Sequence, residues 1–318
     1  MKWRKLGKIF DPTEFELFNQ CREFAQAPQV IVFDDRLRIY FSTRSFDASS
    51  GNYLSHIAFV DMRKDFREVI AVSRNTVIEL GKAGCFDEHG IFPMNVLRRG
   101  DLIYGYTCGV NRRVSVPVDS AIGIAVSRDG GDTFRRLGDG PILSPSLHEP
   151  CLVADPFVQV FGDSFYMWYI FGTPWEKRAD DEPAERIYRI GQASSLDGIR
   201  WRRESGRQIV ACRLGSDECQ ALPTVIQISG RYHLFFCYRH RHDFRHNRNR
   251  SYRIGHAYSD DLLDWTRDDE QMSIAPSEND WDSDMLCYPH VFACDGRVYM
   301  LYNGNEFGRR GFGLAVLD

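Results

Sequence analysis

Residues 156–169 have the sequence PFVQVFGDSFYMWY, and this stretch carries the pattern that decides the fold. Gly162 and Asp163 lie at its centre, and these residue types supply the backbone conformations that a tight hairpin turn requires. The residues after the turn are apolar or aromatic at alternate positions, which is typical of a strand with one buried face. The stretch therefore predicts two antiparallel strands joined by a short turn.

This hairpin pattern recurs five times along the chain. The copies begin at prolines that lie 63 to 67 residues apart: Pro28, Pro93, Pro156, Pro223 and Pro289. A third strand pattern follows, with Ile-Gly at residues 122–123, 190–191 and 254–255, Phe-Gly at 312–313, and a divergent copy at His56. A fourth strand opens with an aromatic residue at Phe134, Trp201 and Trp265. Four antiparallel strands at a fixed period predict the blades of a β-propeller.

The two ends of the chain complete one blade in this interpretation. The fifth copy stops at Asp318 after its third strand, whereas residues 3–8, WRKLGK, resemble the fourth strand that begins FRRLGD at Phe134. An N-terminal strand placed there would close the ring and leave no open sheet edge. The sequence therefore predicts an all-β, single-domain, five-bladed propeller over residues 1–318, with four antiparallel strands per blade. A β-sandwich is the alternative, but it does not explain the constant period.

The composition of the chain argues against nucleic-acid binding, membrane association and a zinc or disulfide framework. The chain has 40 Lys and Arg against 44 Asp and Glu, so it lacks the basic excess of nucleic-acid-binding proteins. It contains neither the roughly 20 consecutive apolar residues of a membrane helix nor an apolar run after its basic N-terminus. The nine cysteines lack the paired spacing of zinc sites and disulfide frameworks. We therefore expect a cytoplasmic protein with reduced thiols, no metal, no cofactor, no nucleic-acid partner and no membrane association.

One face of the predicted propeller carries the long loops, and there we expect the functional site. These loops join the second and third strands of each blade, at residues 42–55, 107–121, 170–188, 237–252 and 303–311. The residues that precede the five prolines stand at the channel mouth on the same face: Ala27, Phe92, Asp155, Leu222 and Tyr288. Only Asp155 is a carboxylate, and desolvation in a channel would make its protonation tunable. The alternative is that Asp155-Pro156 is an ordinary turn dipeptide.

Glycoside cleavage uses two carboxyl groups, one of which protonates the leaving oxygen. Glu218, which precedes the fourth blade, is the best partner for Asp155 and would be the proton donor. Its alternative role is that of a solvated loop acid. The corresponding stretch of the second blade contains Glu88 and His89, which we expect to contact substrate.

The sequence resembles the five-bladed propeller glycosidases. The resemblance rests on the five blades, Ala-Asp155-Pro156-Phe in the third blade, Glu218-Cys219 before the fourth, and residues 254–265, IGHAYSDDLLDW. The group comprises the invertases, arabinanases and xylosidases of families 32, 43 and 68, with the mannoside phosphorylases of family 130 nearby. The resemblance implies that Asp155 is a transition-state or pKa-tuning carboxylate and that Glu218 matches the fourth-blade acid.

Two positions depart from the pattern of that group. The first-blade Asp that acts as nucleophile or base in the resembled enzymes falls at Ala27, and the usual fourth-blade acid position falls at Ala221. The resemblance therefore leaves three functions open. The first is a hydrolase that cleaves a small, anionic, intracellular glycoside with Asp155 and Glu218. The second is an inverting phosphorylase that uses one Asp and inorganic phosphate. The third is a propeller that binds carbohydrate without catalysis.

Arginines occur in every long loop on this face, and they predict an anionic ligand or co-substrate. Residues 239–250, RHRHDFRHNRNR, contain five arginines, and Arg44 and Arg112 lie in the first two loops. The planar guanidinium suits phosphate or carboxylate, so we expect Arg44, Arg112 and Arg239 to bind substrate. The alternative is a solvated loop whose charges pair with the acids of the third loop, which are Asp180, Asp181, Glu182 and Glu185.

Two further residues are predicted to contact the sugar. Trp175, in the third long loop, would stack on a sugar ring or pack the loop. His290 follows Pro289 at the channel and would bind the sugar, although a histidine without neighbouring ligands is more often structural.

Overall fold

Five sheets of four antiparallel strands account for most of the molecule. The computed structural model describes residues 1–177 and 184–318. The first blade contains β2 (Gln26–Val32), β3 (Leu37–Asp47), β4 (Asn52–Met62) and β5 (Val69–Val72). The second contains β6 (Ile91–Arg99), β7 (Leu102–Arg112), β8 (Val118–Ser127) and β9 (Arg135–Arg136). The third contains β10 (Val153–Phe161), β11 (Ser164–Glu176), β12 (Glu185–Ser195) and β13 (Arg202–Arg203).

The last two blades complete the ring. The fourth contains β14 (Glu218–Ile228), β15 (Arg231–His240), β16 (Arg253–Ser259) and β17 (Thr266–Arg267). The fifth contains β18 (Cys287–Cys294), β19 (Arg297–Asn303), β20 (Phe312–Leu317) and the N-terminal β1 (Trp3–Phe10). Helical turns occur at Pro12–Glu14, Phe18–Gln20, Gly215–Asp217 and Asp269–Gln271, and α1 spans Asn305–Gly308. Within the described ranges, no helix has the length and apolar character needed to cross a membrane.

The N-terminal strand closes the ring, as the sequence predicted. β1 pairs antiparallel with β20, so that Trp3 lies opposite Leu317 and Phe10 opposite Phe312. The Trp3 side chain is buried and contacts Phe235 of the fourth blade edge-to-face, with the ring centroids 5.6 Å apart. The first residues of the chain therefore supply both a sheet partner for the fifth blade and part of the core between two blades.

The recurring glycine of the third strand has a packing cause. An aromatic ring lies directly over this position in several blades, at distances where a side chain would collide. A Cβ at Gly123 would lie 2.4 Å from Phe86, and one at Gly313 would lie 2.4 Å from Trp281. Because each ring fills the space that a Cβ would need, glycine recurs at this position in the sequence repeat.

A bulge in every inner strand turns one side chain toward the central channel. Each bulge lies at the residue before the repeat proline; in β10, for example, Ala154 pairs with Ile170 and Phe157 with Trp168, which leaves one extra residue in the inner strand. In four blades that residue has a positive φ, between 48° and 57°. This bulge is the local feature that positions Asp155, whose φ is 51°.

Candidate active site

The long loops surround a cavity of about 770 Å³ on the predicted face of the propeller. Every blade contributes to its lining: Arg44 and Ser55 from the first, Val110 from the second, Arg186 from the third, Arg239 from the fourth and Phe307 from the fifth. A cavity of this size holds a ligand of the dimensions of a small molecule or short oligosaccharide. The predicted location of the functional face therefore coincides with this cavity.

The cavity continues inward into a chamber of about 100 Å³, here called the inner chamber. Phe92, Tyr188, Tyr252 and Tyr288 line both spaces, so the two are continuous. Asp155 lines the inner chamber at the centre of the ring. The lining of this chamber is otherwise mostly apolar or aromatic, so a charged group inside it is poorly solvated.

Asp155 has the environment of an acid that holds its proton near neutral pH. Its side chain is buried, and its Oδ2 accepts a hydrogen bond of 3.2 Å from the backbone N–H of Leu222. Burial raises the pKa of Asp155 to about 7, although the Leu222 N–H and the Arg186 charge act in the opposite direction. The carboxyl group is therefore present in both protonation states at physiological pH.

Glu218 does not lie with Asp155 in the cavity. Its side chain is fully buried, and both carboxylate oxygens are saturated with hydrogen bonds. Oε2 accepts from the backbone N–H groups of Arg213 and Leu214, and Oε1 accepts from Gln220 and, at 2.6 Å, from Arg267. Glu218 lines neither the cavity nor the inner chamber. The expected pair of carboxylates is therefore not assembled, because the fourth-blade acid is used to fix the loop that precedes its own strand.

Glu88, His89 and Arg112, the three candidates of the second blade, contact protein groups outside the cavity. The Arg112 guanidinium donates to Ser50 Oγ and to the Tyr53 carbonyl, both at 2.9 Å. His89 Nδ1 faces the Arg112 backbone N–H at 3.4 Å, and Glu88 accepts from the Gly84 N–H. None of these three side chains lines the cavity.

Trp175 and His290 do not line the cavity. The Trp175 ring lies beneath the guanidinium of Arg186, 5.2 Å from its centre, so it positions a cavity residue. His290 is buried, and its Nε2 accepts the backbone N–H of Val30, which joins the fifth blade to the first. Burial lowers the pKa of His290 to about 3, so the ring stays neutral. The position of His290 therefore favours the alternative in which this histidine is structural and does not bind the sugar.

Four of the arginines that line the cavity have no carboxylate partner among the described residues: Arg44, Arg186, Arg239 and Arg248. The Arg44 guanidinium lies over the Phe24 ring at 4.4 Å, and its buried Nε has no hydrogen-bond partner. Arg186 stacks on Trp175 and lines both the cavity and the inner chamber. Burial lowers the pKa of Arg44, which shows that its charge is poorly solvated. An anionic ligand would relieve this cost at Arg44 and would supply a counter-ion to Arg186.

Three of the five arginines of the fourth loop are paired with carboxylates. Arg241 pairs with Glu176 and Asp217, Arg250 pairs with Asp217, and Arg245 pairs with Glu185. Charge pairing with the third loop therefore holds for Arg241, through Glu176, and for Arg245, through Glu185, whereas Arg250 pairs with Asp217 in the turn before β14. The acids Asp180, Asp181 and Glu182, together with Arg178, lie outside the described residues.

The sequence interpretation missed Tyr188 and Tyr252, which line both the cavity and the inner chamber. A signal for them was present. Each lies two residues before the repeated Ile-Gly of its third strand, at Ile190 and Ile254. Because side chains alternate along a strand, the two tyrosines occupy equivalent positions in neighbouring blades.

The described ranges contain no group of three or more His, Cys, Asp or Glu side chains arranged to hold a metal ion. The arrangement brings together a partly protonated carboxyl group, guanidinium groups without carboxylate partners and a wall of aromatic rings. Such a site can bind a polar, partly anionic molecule against aromatic surfaces and can transfer a proton to it.

The chain has two sequence relatives of the same length. Two Mycobacterium tuberculosis proteins, named Uncharacterized protein Rv1502 (strain H37Rv) and Uncharacterized protein MT1551 (strain CDC 1551), are each 33% identical to the chain over 319 residues, across the full length of both partners. No family model matches the chain.

Solved structures share the propeller at low sequence identity. A protein described as a glycoside hydrolase has a TM-score of 0.73 and 17% identity, covering 98% of this chain and 90% of the other. A β-1,2-mannobiose phosphorylase from Listeria innocua has a TM-score of 0.68 and 12% identity, covering 100% and 97%. A thermostable family-43 glycoside hydrolase has a TM-score of 0.63 and 13% identity, covering 92% and 87%. These similarities confirm the resemblance in fold.

Proposed function

The chain belongs to the family of the Mycobacterium tuberculosis protein Rv1502, and we propose that it is a glycosidase-type enzyme that cleaves a small anionic glycoside. Asp155 is the group that donates a proton to the leaving oxygen. The observation that carries the proposal is the position of this one carboxyl group in the inner chamber, with a pKa of about 7. The carbohydrate substrate is supported by the neighbouring propellers, which include a glycoside hydrolase and a mannobiose phosphorylase.

Proton donation from Asp155 follows from its surroundings. A glycosidic oxygen is a poor leaving group until it is protonated, and an acid works best when its pKa lies near the operating pH. Desolvation holds part of the Asp155 population protonated at pH 7. Arg186, on the wall of the same chamber, stabilises the carboxylate that remains after the proton has been transferred.

The anionic character of the substrate is supported by Arg44 and Arg186. Both line the cavity, and neither has a carboxylate within ion-pair distance among the described residues. A ligand phosphate or carboxylate would pair with them in place of a protein acid. The nine cysteines are all free thiols, which supports a substrate in the cytoplasm, where thiols stay reduced.

Phosphorolysis is a second candidate that one observation favours. Glu218 is engaged elsewhere, and among the described residues the carboxylates that line the cavity are Asp284 and Glu306, both exposed. A hydrolase would need one of these two as the base that activates water. A phosphorylase would need no base, because phosphate bound to the arginines would itself attack the anomeric carbon while Asp155 protonates the leaving oxygen.

One experiment tests the proposal and separates the candidates. The purified protein is incubated with a panel of neutral, phosphorylated and uronic glycosides, with and without inorganic phosphate, and products are identified by mass spectrometry. We expect cleavage of an acidic glycoside by the unsubstituted protein and its loss in Asp155→Asn. Cleavage that requires phosphate and yields a sugar 1-phosphate would identify the phosphorylase.

Two results would contradict the proposed enzyme. Normal turnover in Asp155→Asn would exclude Asp155 as the acid. Binding of glycosides without cleavage of any of them would leave the protein as a propeller that binds carbohydrate without catalysis.

A further inference from the structure

Arg239, Tyr188 and Tyr252 form a buried cluster in the cavity wall. The three side chains are 3%, 4% and 4% exposed. Arg239 Nη1 donates to the carbonyl groups of His240 and Arg241, at 2.8 and 2.9 Å. Its Nε donates to the Tyr252 hydroxyl at 3.2 Å, and its Nη2 donates to the Tyr188 hydroxyl at 2.9 Å. The two hydroxyl groups lie 2.8 Å apart.

Counting the hydrogens of this cluster leaves one O–H proton without an acceptor. Each phenol oxygen already accepts a hydrogen bond from Arg239. One hydroxyl donates to the other across the 2.8 Å separation, which uses one of the two phenolic protons. The second proton has no acceptor among the described residues. A buried O–H without an acceptor is costly, so this proton is expected to point into the space that both tyrosines line.

The cluster also holds a positive charge without a counter-ion. Arg239 has no carboxylate within ion-pair distance among the described residues, and its guanidinium stacks on the Phe244 ring at 3.5 Å. The charge faces the two phenol oxygens, and it therefore polarises their O–H groups toward the cavity. Burial raises the pKa of Tyr188 and of Tyr252, so both remain protonated donors.

We propose that the Tyr188–Tyr252 pair, polarised by Arg239, donates its free O–H to an anionic oxygen of the ligand and so selects acidic over neutral sugars. The proposal rests on the anionic substrate of the proposed function and adds the group that recognises it. Arg186 lies 5.8 Å from the centre of the Tyr188 ring, so the same ligand oxygens can pair with its guanidinium. The anionic group would bind where the cavity meets the inner chamber.

Ligand affinity in hydroxyl-deletion variants tests this assignment without turnover. Inorganic phosphate and glucuronate serve as anionic probes and glucose as the neutral probe, with affinities measured by calorimetry. Tyr188→Phe, Tyr252→Phe and the double variant keep the ring volume and remove the hydroxyl groups. Tyr106→Phe is the matched control, because this buried tyrosine donates to the Gly198 carbonyl away from the cavity. Thermal unfolding confirms that each variant is folded.

The count of one free proton predicts a non-additive result. Either single variant keeps one hydroxyl whose proton has no acceptor among the described residues, so each should bind the anions less than about threefold more weakly. The double variant has no such proton and should bind the anions about tenfold to a hundredfold more weakly, the range for a lost hydrogen bond to a charged group, and the affinity for glucose should stay unchanged. Tyr106→Phe should match the unsubstituted protein.

Three results would overturn the assignment. They are an anion affinity in the double variant within about twofold of the unsubstituted protein, equal losses for anions and glucose, and no anion binding by the unsubstituted protein. If the anions bind as expected but no glycoside is cleaved, the proposed activity fails and the recognition role of the tyrosines stands.

Discussion

Asp155 and Glu218 are buried carboxyl groups on the inner strands of neighbouring blades, and their surroundings differ in one respect. Glu218 accepts four hydrogen bonds, from two backbone N–H groups and two side chains, and has no free lone pair directed at a cavity. Asp155 accepts one hydrogen bond and borders an open chamber. Both carboxyl groups are therefore buried. Of the two, only Asp155 can accept further hydrogen bonds from a ligand in an adjacent cavity. The comparison separates a carboxyl group that holds the fold from one available to a ligand.

The largest expected effect is on turnover in Asp155→Asn. The amide keeps the size of the side chain but cannot donate the proton of a carboxylic acid, so kcat should fall by about 10²- to 10⁴-fold. Glu218→Gln is the matched control, and it should keep turnover within about threefold in the folded protein. Steady-state kinetics on the substrate identified by the panel measure both values. An equal loss of kcat in the two variants would contradict the assignment of a catalytic role to Asp155 and a structural role to Glu218.

The second effect is on stability, and here Glu218→Gln is the variant that should lose more. In Glu218→Gln, one of the two acceptor oxygens becomes an NH₂ group that faces N–H donors, and Arg267 loses part of its charge compensation. We expect the free energy of unfolding to fall by about 2–4 kcal/mol. Urea denaturation at pH 7 measures the change. Unchanged stability would show that these hydrogen bonds do not hold the loop.

The third effect is a pH-dependent gain of stability in Asp155→Asn. The pKa of Asp155 is about 7 in the folded protein and near the ordinary value of 3.8 after unfolding. Between these values the folded state keeps a proton that the unfolded state releases, so stability falls as the pH rises from about 4 to 7. Asparagine carries no charge and avoids this loss.

We therefore expect Asp155→Asn to be more stable than the unsubstituted protein by about 2–4 kcal/mol at pH 8, and to match it at pH 4. Urea denaturation at both pH values measures the difference. A variant that is less stable at pH 8 would mean that the carboxylate is favourably paired when charged.

The fold could be predicted because it is repeated, whereas the roles of single acids could not. The prolines, the turns and the alternating strands occur five times, and even the N-terminal strand matches a copy elsewhere in the chain. Asp155 was identified by its place in this alignment. Glu218 was chosen by chemical type and by its position before a strand, but its role depends on Arg267, 49 residues later, and on the backbone of residues 213–214. Such contacts leave no local pattern in the sequence.

The smallest expected effect concerns the charge beside Asp155. Arg186 lowers the pKa of Asp155, in opposition to burial. Arg186→Met removes the charge and keeps a side chain that can pack against Trp175, so the pKa of Asp155 should rise further. Because the protonated acid is the active form, the alkaline limb of the kcat profile should move to higher pH by up to about one unit.

Arg186→Lys is the control for this last effect, because it keeps the charge and should leave the limb in place. The profile is measured at saturating substrate, since loss of an anion-binding arginine also raises KM, and kcat reports the ionisation of the enzyme–substrate complex. A limb that stays fixed in Arg186→Met, or moves to lower pH, would mean that Arg186 does not act on the acid. In that case Asp155 and Glu218 would differ in the hydrogen bonds that they accept, such as the one from Arg267 to Glu218, and not in the effect of a nearby charge.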